Sequence, residues 1–222
     1  MDRVTFHFDP RCPWCYQTSR WAVRLAELGE IDLDWGVFSL EVANLEEGLD
    51  PFELEPTGSP ALRVAIAIGD AHGTKEIGGF YQALGRRTFL QPAPPEDLDA
   101  AIRESLTEAG LHPSLRSRAL ADPKTWARVV GETQRIQTKV GRLGVPTIVL
   151  DGDDGPAIFG PVVSRMPSDE DAVELWRHTS WLVRYGNFGE LKRNRGPQDD
   201  LPITAWYAQQ RALRESNKES QK

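Results

Sequence analysis

Cys12 and Cys15 are the only cysteines in 222 residues, and they stand three apart in the stretch FDPRCPWCYQTSRW. Two thiols at that spacing can exchange disulfides, a reaction in which the thiolate is the nucleophile. A free cysteine with a pKa of about 8.5 is mostly protonated at neutral pH, so the pair needs a setting that favours the anion. The start of a helix is such a setting, because its unpaired N–H groups and dipole attract negative charge. Cysteines placed there in CxxC motifs have pKa values of roughly 3.5–7.5. Residues i and i+3 share a helix face, which sets the Cys15 amide and thiol near the Cys12 sulfur. Cys12 is therefore expected to attack an electrophile. Cys15, the more buried thiol, is expected to resolve the mixed disulfide by forming the Cys12–Cys15 bond. Pro13 stiffens the turn, and Trp14 is expected at the surface beside the sulfur, able to stack on a flat substrate. The competing reading of a lone CxxC is half a zinc site. Zinc takes about four ligands, there is no second cysteine pair, and His7, His72, His112 and His178 are scattered singly, so no metal is expected.

A second candidate is GVPT, where Val145, Pro146 and Thr147 enter an apolar strand. Proline cannot donate to a β-ladder, so one directly ahead of a buried strand is awkward. Thioredoxin-like folds place a cis peptide bond at such a point. A cis Val145–Pro146 bond would present the Val145 backbone opposite the thiols, where an extended ligand could pair with it. An ordinary trans proline at a strand entrance is the alternative.

The elements that must position these groups follow from the pattern. VTFHF alternates, with Val4, Phe6 and Phe8 on one side and Thr5 and His7 on the other, which predicts a strand. Residues 13–28 turn helical and end at Gly29, and IDLDWGVF alternates again. From residue 49 to 140 the pattern is almost wholly helical, with cap-and-proline starts at Ser59-Pro60 and Asp122-Pro123. The acidic run LEEGLDPFELEP ahead of it is expected to be a solvated loop. VPTIVL, DGDDG and PAIFG predict a strand, a turn and a second strand, and Ser168 opens a helix through AVELWRHTSWLV. Further helices are expected at FGELKRN and around ITAWYAQQRAL, and the terminal RALRESNKESQK is expected to fray. Trp21, Trp35, Trp176 and Trp181 stand at core spacing.

The order β-α-β, helical block, β-β-α predicts an α/β protein with a thioredoxin fold and a helical domain inserted after the second strand. The sheet order should be second, first, third, fourth strand. Residues 1–48 and 140–195 would form the discontinuous thioredoxin-fold domain, 49–139 the inserted helical domain, and 196–222 a C-terminal extension.

Composition is that of a soluble globular chain, with 40% hydrophobic and 27% charged residues. A net charge of −7 argues against nucleic acid or an anionic membrane as the main partner. MDRVTFHFDP carries no basic-then-apolar leader, and no stretch approaches the roughly 20 apolar residues of a membrane helix, so a cytoplasmic protein is expected. In a reducing cytosol such a cysteine pair points to catalysis or metal binding rather than to a structural disulfide.

CPWC, GVPT and the long helical insertion resemble the DsbA-type branch of the thioredoxin superfamily. FDPRCPWCYQTSRW, RVAIAIGDAHGTK, GVPTIVL, IFGPVVSRMP and FGELKRNR, in that order over about residues 4–195, resemble more narrowly the mycothiol-dependent nitroreductases, mycoredoxin-like CPWC proteins. LPITAWYAQQRAL, beyond Pro197, has no counterpart in that likeness. The resemblance implies a cytosolic oxidoreductase with Cys12 as nucleophile and Cys15 as resolving thiol. It implies mycothiol as the reducing thiol, and small electrophilic or nitro-aromatic compounds or disulfides as substrates. It also implies a movement of the helical domain on oxidation. Two other readings stand beside it: a cytosolic protein disulfide isomerase or reductase, and a non-redox small-molecule binding module of the glutathione-S-transferase kappa type. His72, in DAHGTK, is a candidate substrate contact from the helical insertion, with a surface histidine as the alternative. Lys192, Arg193 and Arg195 could hold a charged part of the thiol or simply complement a helix end. The chain is expected as a monomer or homodimer.

Overall fold

The computed structural model describes residues 1–54, 59–193, 201–205 and 208. Strand β1 (Asp2–Phe8) leads into helix α1 (Pro13–Glu27) and strand β2 (Ile31–Val37). Then come α2 (Leu40–Ala43), α3 (Ser59–His72), a 3-10 turn (Thr74–Glu76), α4 (Ile77–Phe89), α5 (Leu98–Glu108), α6 (Ser114–Ala121) and α7 (Pro123–Val140). Strands β3 (Thr147–Leu150) and β4 (Ala157–Phe159) and helix α8 (Asp169–Arg184) complete the fold. The sheet order is β2-β1-β3-β4, as expected from the pattern. β1 runs parallel to β2, with Phe6 opposite Trp35, and antiparallel to β3, with Phe6 opposite Ile148.

The alternation in β1 sorts two layers. Phe6 and Phe8 meet the edge of Trp35, and Phe8 stacks on Tyr81 of α4 with centroids 3.9 Å apart. The insertion is thereby joined to the sheet by aromatic packing. α1 and α8 pack together through Trp21 and Trp176, whose rings are 6.1 Å apart, and the Trp21 indole N–H donates to the Ala172 carbonyl at 3.2 Å. The buried His7 ring lies over Gly36 of the neighbouring strand. A Cβ at position 36 would sit 2.2 Å from that ring, so only glycine fits opposite it.

Local capping matches the sequence pattern. Asp97 accepts from the amides of Asp99 and Ala100, Asp122 from Lys124 with Pro123 in the first turn, and Ser168 from Asp171. Gly29 and Gly110 follow α1 and α5 with φ of 78° and 73°, the left-handed conformation that ends a helix.

Three expectations need correction or bounding. Residues 188–193 of FGELKRN form no helix. Trp181 is 62% exposed and stacks on Tyr185, because the buried stripe of α8 runs through Trp176, Thr179, Ser180 and Val183. Residues 202–205 are helical, with Leu201 and Ile203 buried in the core, while most of ITAWYAQQRAL and all of RALRESNKESQK lie outside the described residues. No described helix is long and apolar enough to cross a membrane.

Candidate functional site

The site begins where β1 ends. Asp9 turns the chain, its carbonyl accepting from the Cys12 amide at 3.1 Å. Cys12 is the N-cap of α1, with extended backbone (φ −91°, ψ 107°), and its sulfur accepts from the Cys15 amide at 3.4 Å. A thiol thus occupies the place that serine or aspartate usually fills. Pro13, in the first turn, contributes no N–H. Trp14 is half-buried against the core, more enclosed than the surface position expected of it.

Both cysteines are free thiols, in unlike surroundings: Cys12 is half-buried and Cys15 has no exposed surface. The Cys15 thiol holds the Cys12 pKa below the ordinary value by hydrogen bonding to its thiolate. Partial burial opposes this, and the amides of Cys15 and Trp14 add to it. The Cys15 pKa is pushed well above the ordinary value, first by burial and then by donation to Cys12. In the dithiol the Cys15 sulfur also lies 3.7 Å from the His7 carbonyl oxygen, to which its S–H can donate.

The GVPT segment faces this pair. The Val145–Pro146 bond is cis, and the Cys12 sulfur lies 3.8 Å from the Val145 carbonyl oxygen. A weak contact of this length places the two segments edge to edge. Pro146 accepts from the Gly160 amide at 2.8 Å, and Thr147, fully buried, donates from its hydroxyl to the Gly144 carbonyl at 2.8 Å. A second cis bond joins Gly160 and Pro161, a feature the sequence pattern did not suggest.

Cys12, Pro13, Trp14, Cys15, Val145 and Pro146 are therefore gathered at one end of the sheet, with Thr147 just behind them. His72 is not. It is exposed in the last turn of α3, next to a 3-10 turn whose Thr74 and Lys75 hold Asp34 and Asp32 of β2, toward the strand end opposite the cysteines. Among the described residues, no three His, Cys, Asp or Glu side chains cluster to hold a metal ion.

Sequence reasoning missed two buried groups beside the pair, Asp9 and Tyr81, and a third, the His7 imidazole, on the other face of β1. The Asp9 carboxylate has no exposed surface and accepts from the amides of Arg11 and Leu40, each at 2.7 Å. Burial raises its pKa to about 6. Its charge opposes ionisation of Cys12. Burial lowers His7 to about 4 and keeps the imidazole neutral. Its Nδ1 lies 3.4 Å from the Val37 carbonyl oxygen, while Nε2 makes no hydrogen bond. Tyr81, from α4, brings a phenol to the sulfurs across the chain's long insertion. The FDP run, one residue ahead of CPWC, is the only one of these signals visible in the sequence, since burial is a property of the folded surroundings.

A parallel pair with two antiparallel additions, a CxxC at the head of the first helix and a cis-proline opposite it define a thioredoxin-fold protein of the DsbA-like kind. Solved structures share that fold. The cytosolic disulfide reductase DsbM from Pseudomonas aeruginosa superposes with a TM-score of 0.56 at 16% identity, over 81% of this chain and 99% of its own. The thiol-disulfide exchange protein alpha-DsbA2 from Wolbachia pipientis superposes with a TM-score of 0.54 at 13% identity, over 80% and 79%. The chain belongs to the Rv2466c-like family, described as mycothiol-dependent nitroreductase Rv2466c, whose model matches residues 11–193. It is also 35% identical over 202 residues to the uncharacterized protein Rv2286c of Mycobacterium tuberculosis (strain ATCC 25618 / H37Rv), covering 90% of this chain and 85% of that one.

Proposed function

We propose that this protein is a cytoplasmic thiol–disulfide oxidoreductase that cycles through a Cys12–Cys15 disulfide, draws its electrons from mycothiol and passes them to small disulfide, electrophilic or nitro-aromatic substrates. The observation that carries the reading is the inequality of the two sulfurs: one caps a helix and is helped to ionise, the other is sealed beneath it. Family membership supports the choice of thiol and acceptor.

The Cys12 thiolate attacks one sulfur of a disulfide, forms a mixed disulfide and expels the first thiolate. Cys15 then gives up its proton, attacks the Cys12 sulfur and expels the second half. Two electrons have passed to the substrate, and the protein holds the Cys12–Cys15 bond. A nitro group taking the same two electrons with two protons becomes a nitroso group and water. Exchange with two molecules of the small thiol regenerates both cysteines and yields that thiol's disulfide. The Val145 backbone and the face of Trp14 are the surfaces against which the substrate is held.

Mass spectrometry of the protein offered mycothiol, glutathione and cysteine disulfides in turn tests this. Cys15→Ser is expected to trap a mycothiol adduct on Cys12, and Cys12→Ser to trap none and to lose mycothiol-dependent reductase activity. Activity retained in Cys12→Ser discards the mechanism, and equal trapping of all three thiols removes the assignment of mycothiol. Insulin reduction faster than reduction of small mixed disulfides would favour a protein substrate instead.

A further inference from the structure

Tyr81 is one of the largest side chains with almost no exposed surface, and packing fixes its ring on every side. Phe8 stacks on it at 3.9 Å and 24°, Trp35 meets it edge-on at 5.6 Å, and Tyr16 at 6.2 Å. Tyr16 is itself held by the missing side chain of Gly85, where a Cβ would come within 2.1 Å of its ring. A phenol so confined cannot turn its hydroxyl toward water. That hydroxyl makes no hydrogen bond that meets ordinary geometric limits. A buried tyrosine usually finds a partner, because an unpaired polar group in the interior costs about 1–3 kcal/mol.

Its foremost electrostatic partner is the sulfur of Cys15, ahead of Cys12 and Asp9. In the dithiol that sulfur carries a proton, and a neutral thiol is a weak acceptor, so a contact short of a formed hydrogen bond is the expected arrangement. The situation changes at two points of the cycle. Cys15 must shed its proton to attack the mixed disulfide, and it must depart as a thiolate when the Cys12–Cys15 bond is reduced. At both, a full negative charge appears at an atom with no access to water, and the His7 carbonyl, an acceptor, offers it nothing.

We propose that the Tyr81 hydroxyl donates a hydrogen bond to the Cys15 thiolate, so that the helical insertion supplies the donor which makes the resolving sulfur usable. The Asp9 backbone also favours the Cys15 thiolate, acting against burial in the same sense. Tyr81 keeps its proton throughout. No bond to it forms or breaks, and the proton lost by Cys15 leaves with the expelled thiolate. The role rests on the oxidoreductase reading above.

Tyr81→Phe removes the hydroxyl and preserves every ring contact. An aromatic disulfide such as 5,5′-dithiobis(2-nitrobenzoate) separates the half-reactions by stopped flow. Attack by Cys12 releases the first coloured thiolate, and attack by Cys15 releases the second. Hydrogen bonds to charged groups support an expected slowing of the second phase by about tenfold or more at neutral pH, with its pH midpoint moved upward, while the first phase changes by less than about twofold. Tyr16→Phe, a neighbouring buried ring, is the control and should leave both phases alone. Equal second phases in Tyr81→Phe and wild type overturn the role of Tyr81 while leaving the oxidoreductase reading intact. Slowing of both phases together, or a fall in thermal stability with altered near-UV circular dichroism, makes the hydroxyl structural and also overturns it. Absence of any first phase in the wild type overturns the oxidoreductase reading itself, and this proposal with it.

Discussion

Asp9 is a carboxyl group without exposed surface, set three positions before a thiol that must ionise. It holds the turn by taking two backbone N–H groups, and its charge works against the Cys12 thiolate. Asp9→Asn should therefore lower the pH midpoint of Cys12 alkylation by iodoacetamide, and a midpoint that rises would show that the turn matters more to the thiol than the charge does. The same substitution has a signature in stability. Asp9 has a pKa near 6 in the folded protein against 3.8 for the free group, so between those values the native state holds a proton the unfolded chain has lost. Its contribution weakens the fold as pH rises through about 6. His7 acts with the opposite sign: its pKa falls from 6.5 to about 4, the unfolded chain binds the extra proton, and stability is lost as pH falls through that window. The two slopes oppose each other in the wild type. Asp9→Asn leaves His7 unopposed, and its stability relative to wild type should climb by about 3 kcal/mol from about pH 4 to about pH 7.5. Urea unfolding at a series of pH values reads this directly, and a constant difference between the two proteins refutes it.

At the scale of elements, glycines mark where helices come too close for a side chain. Gly85 of α4 lies against Tyr16 of α1, and Gly78 against Trp35 of β2, where added Cβ atoms would fall 2.1 and 2.4 Å from the rings. These contacts seat α4 against α1 and the sheet, and they aim Tyr81. Gly85→Ala should cost about 1–3 kcal/mol by overpacking. Gly131, within α7, has open space where a Cβ would stand, and Gly131→Ala should instead stabilise by about 0.5–1 kcal/mol. Denaturant midpoints for the pair give the comparison, and like signs would mean that packing between α4 and α1 is looser than described. The elements themselves were largely legible in the chain. Asp122-Pro123 and Ser168 start helices where they were expected, and VTFHF and IDLDWGVF pair as strands. Capping and alternation are local properties, so local residues declare them. FGELKRN misled because its mixed charges and apolar residues suit a helix end, whereas residues 188–193 are not helical and 189–193 stand exposed, with no burial to favour a helix there. Trp181 misled because a tryptophan within an amphipathic helix can stand on either face.

For the whole molecule, one hydrophobic core runs through both the sheet and the insertion, joining Phe6, Phe8 and Trp35 to Tyr81, Leu84 and Ile102 without a break. Continuous packing of this kind should make unfolding a single cooperative event. Tryptophan fluorescence and far-UV circular dichroism are expected to report the same denaturant midpoint, and two separated transitions would show that the helical insertion unfolds independently. The ion pairs tying α8 to the start of β1 and to the β3–β4 turn, Arg184 with Asp2 and Asp151, are partly exposed and contribute at most about 1 kcal/mol, so added salt should shift that midpoint little. What the amino-acid sequence settled alone is the thiol pair at a helix start, the succession of strands and helices along the chain and a proline at the entrance to β3, since each is written in neighbouring residues or in simple periodicity. What only the tertiary structure decided is which groups the pair meets: the Asp9 carboxyl sealed from water, the His7 backbone carbonyl beside Cys15, and the Tyr81 hydroxyl delivered from a distant helix. Those depend on burial and on distances through space, and no spacing along the chain encodes either.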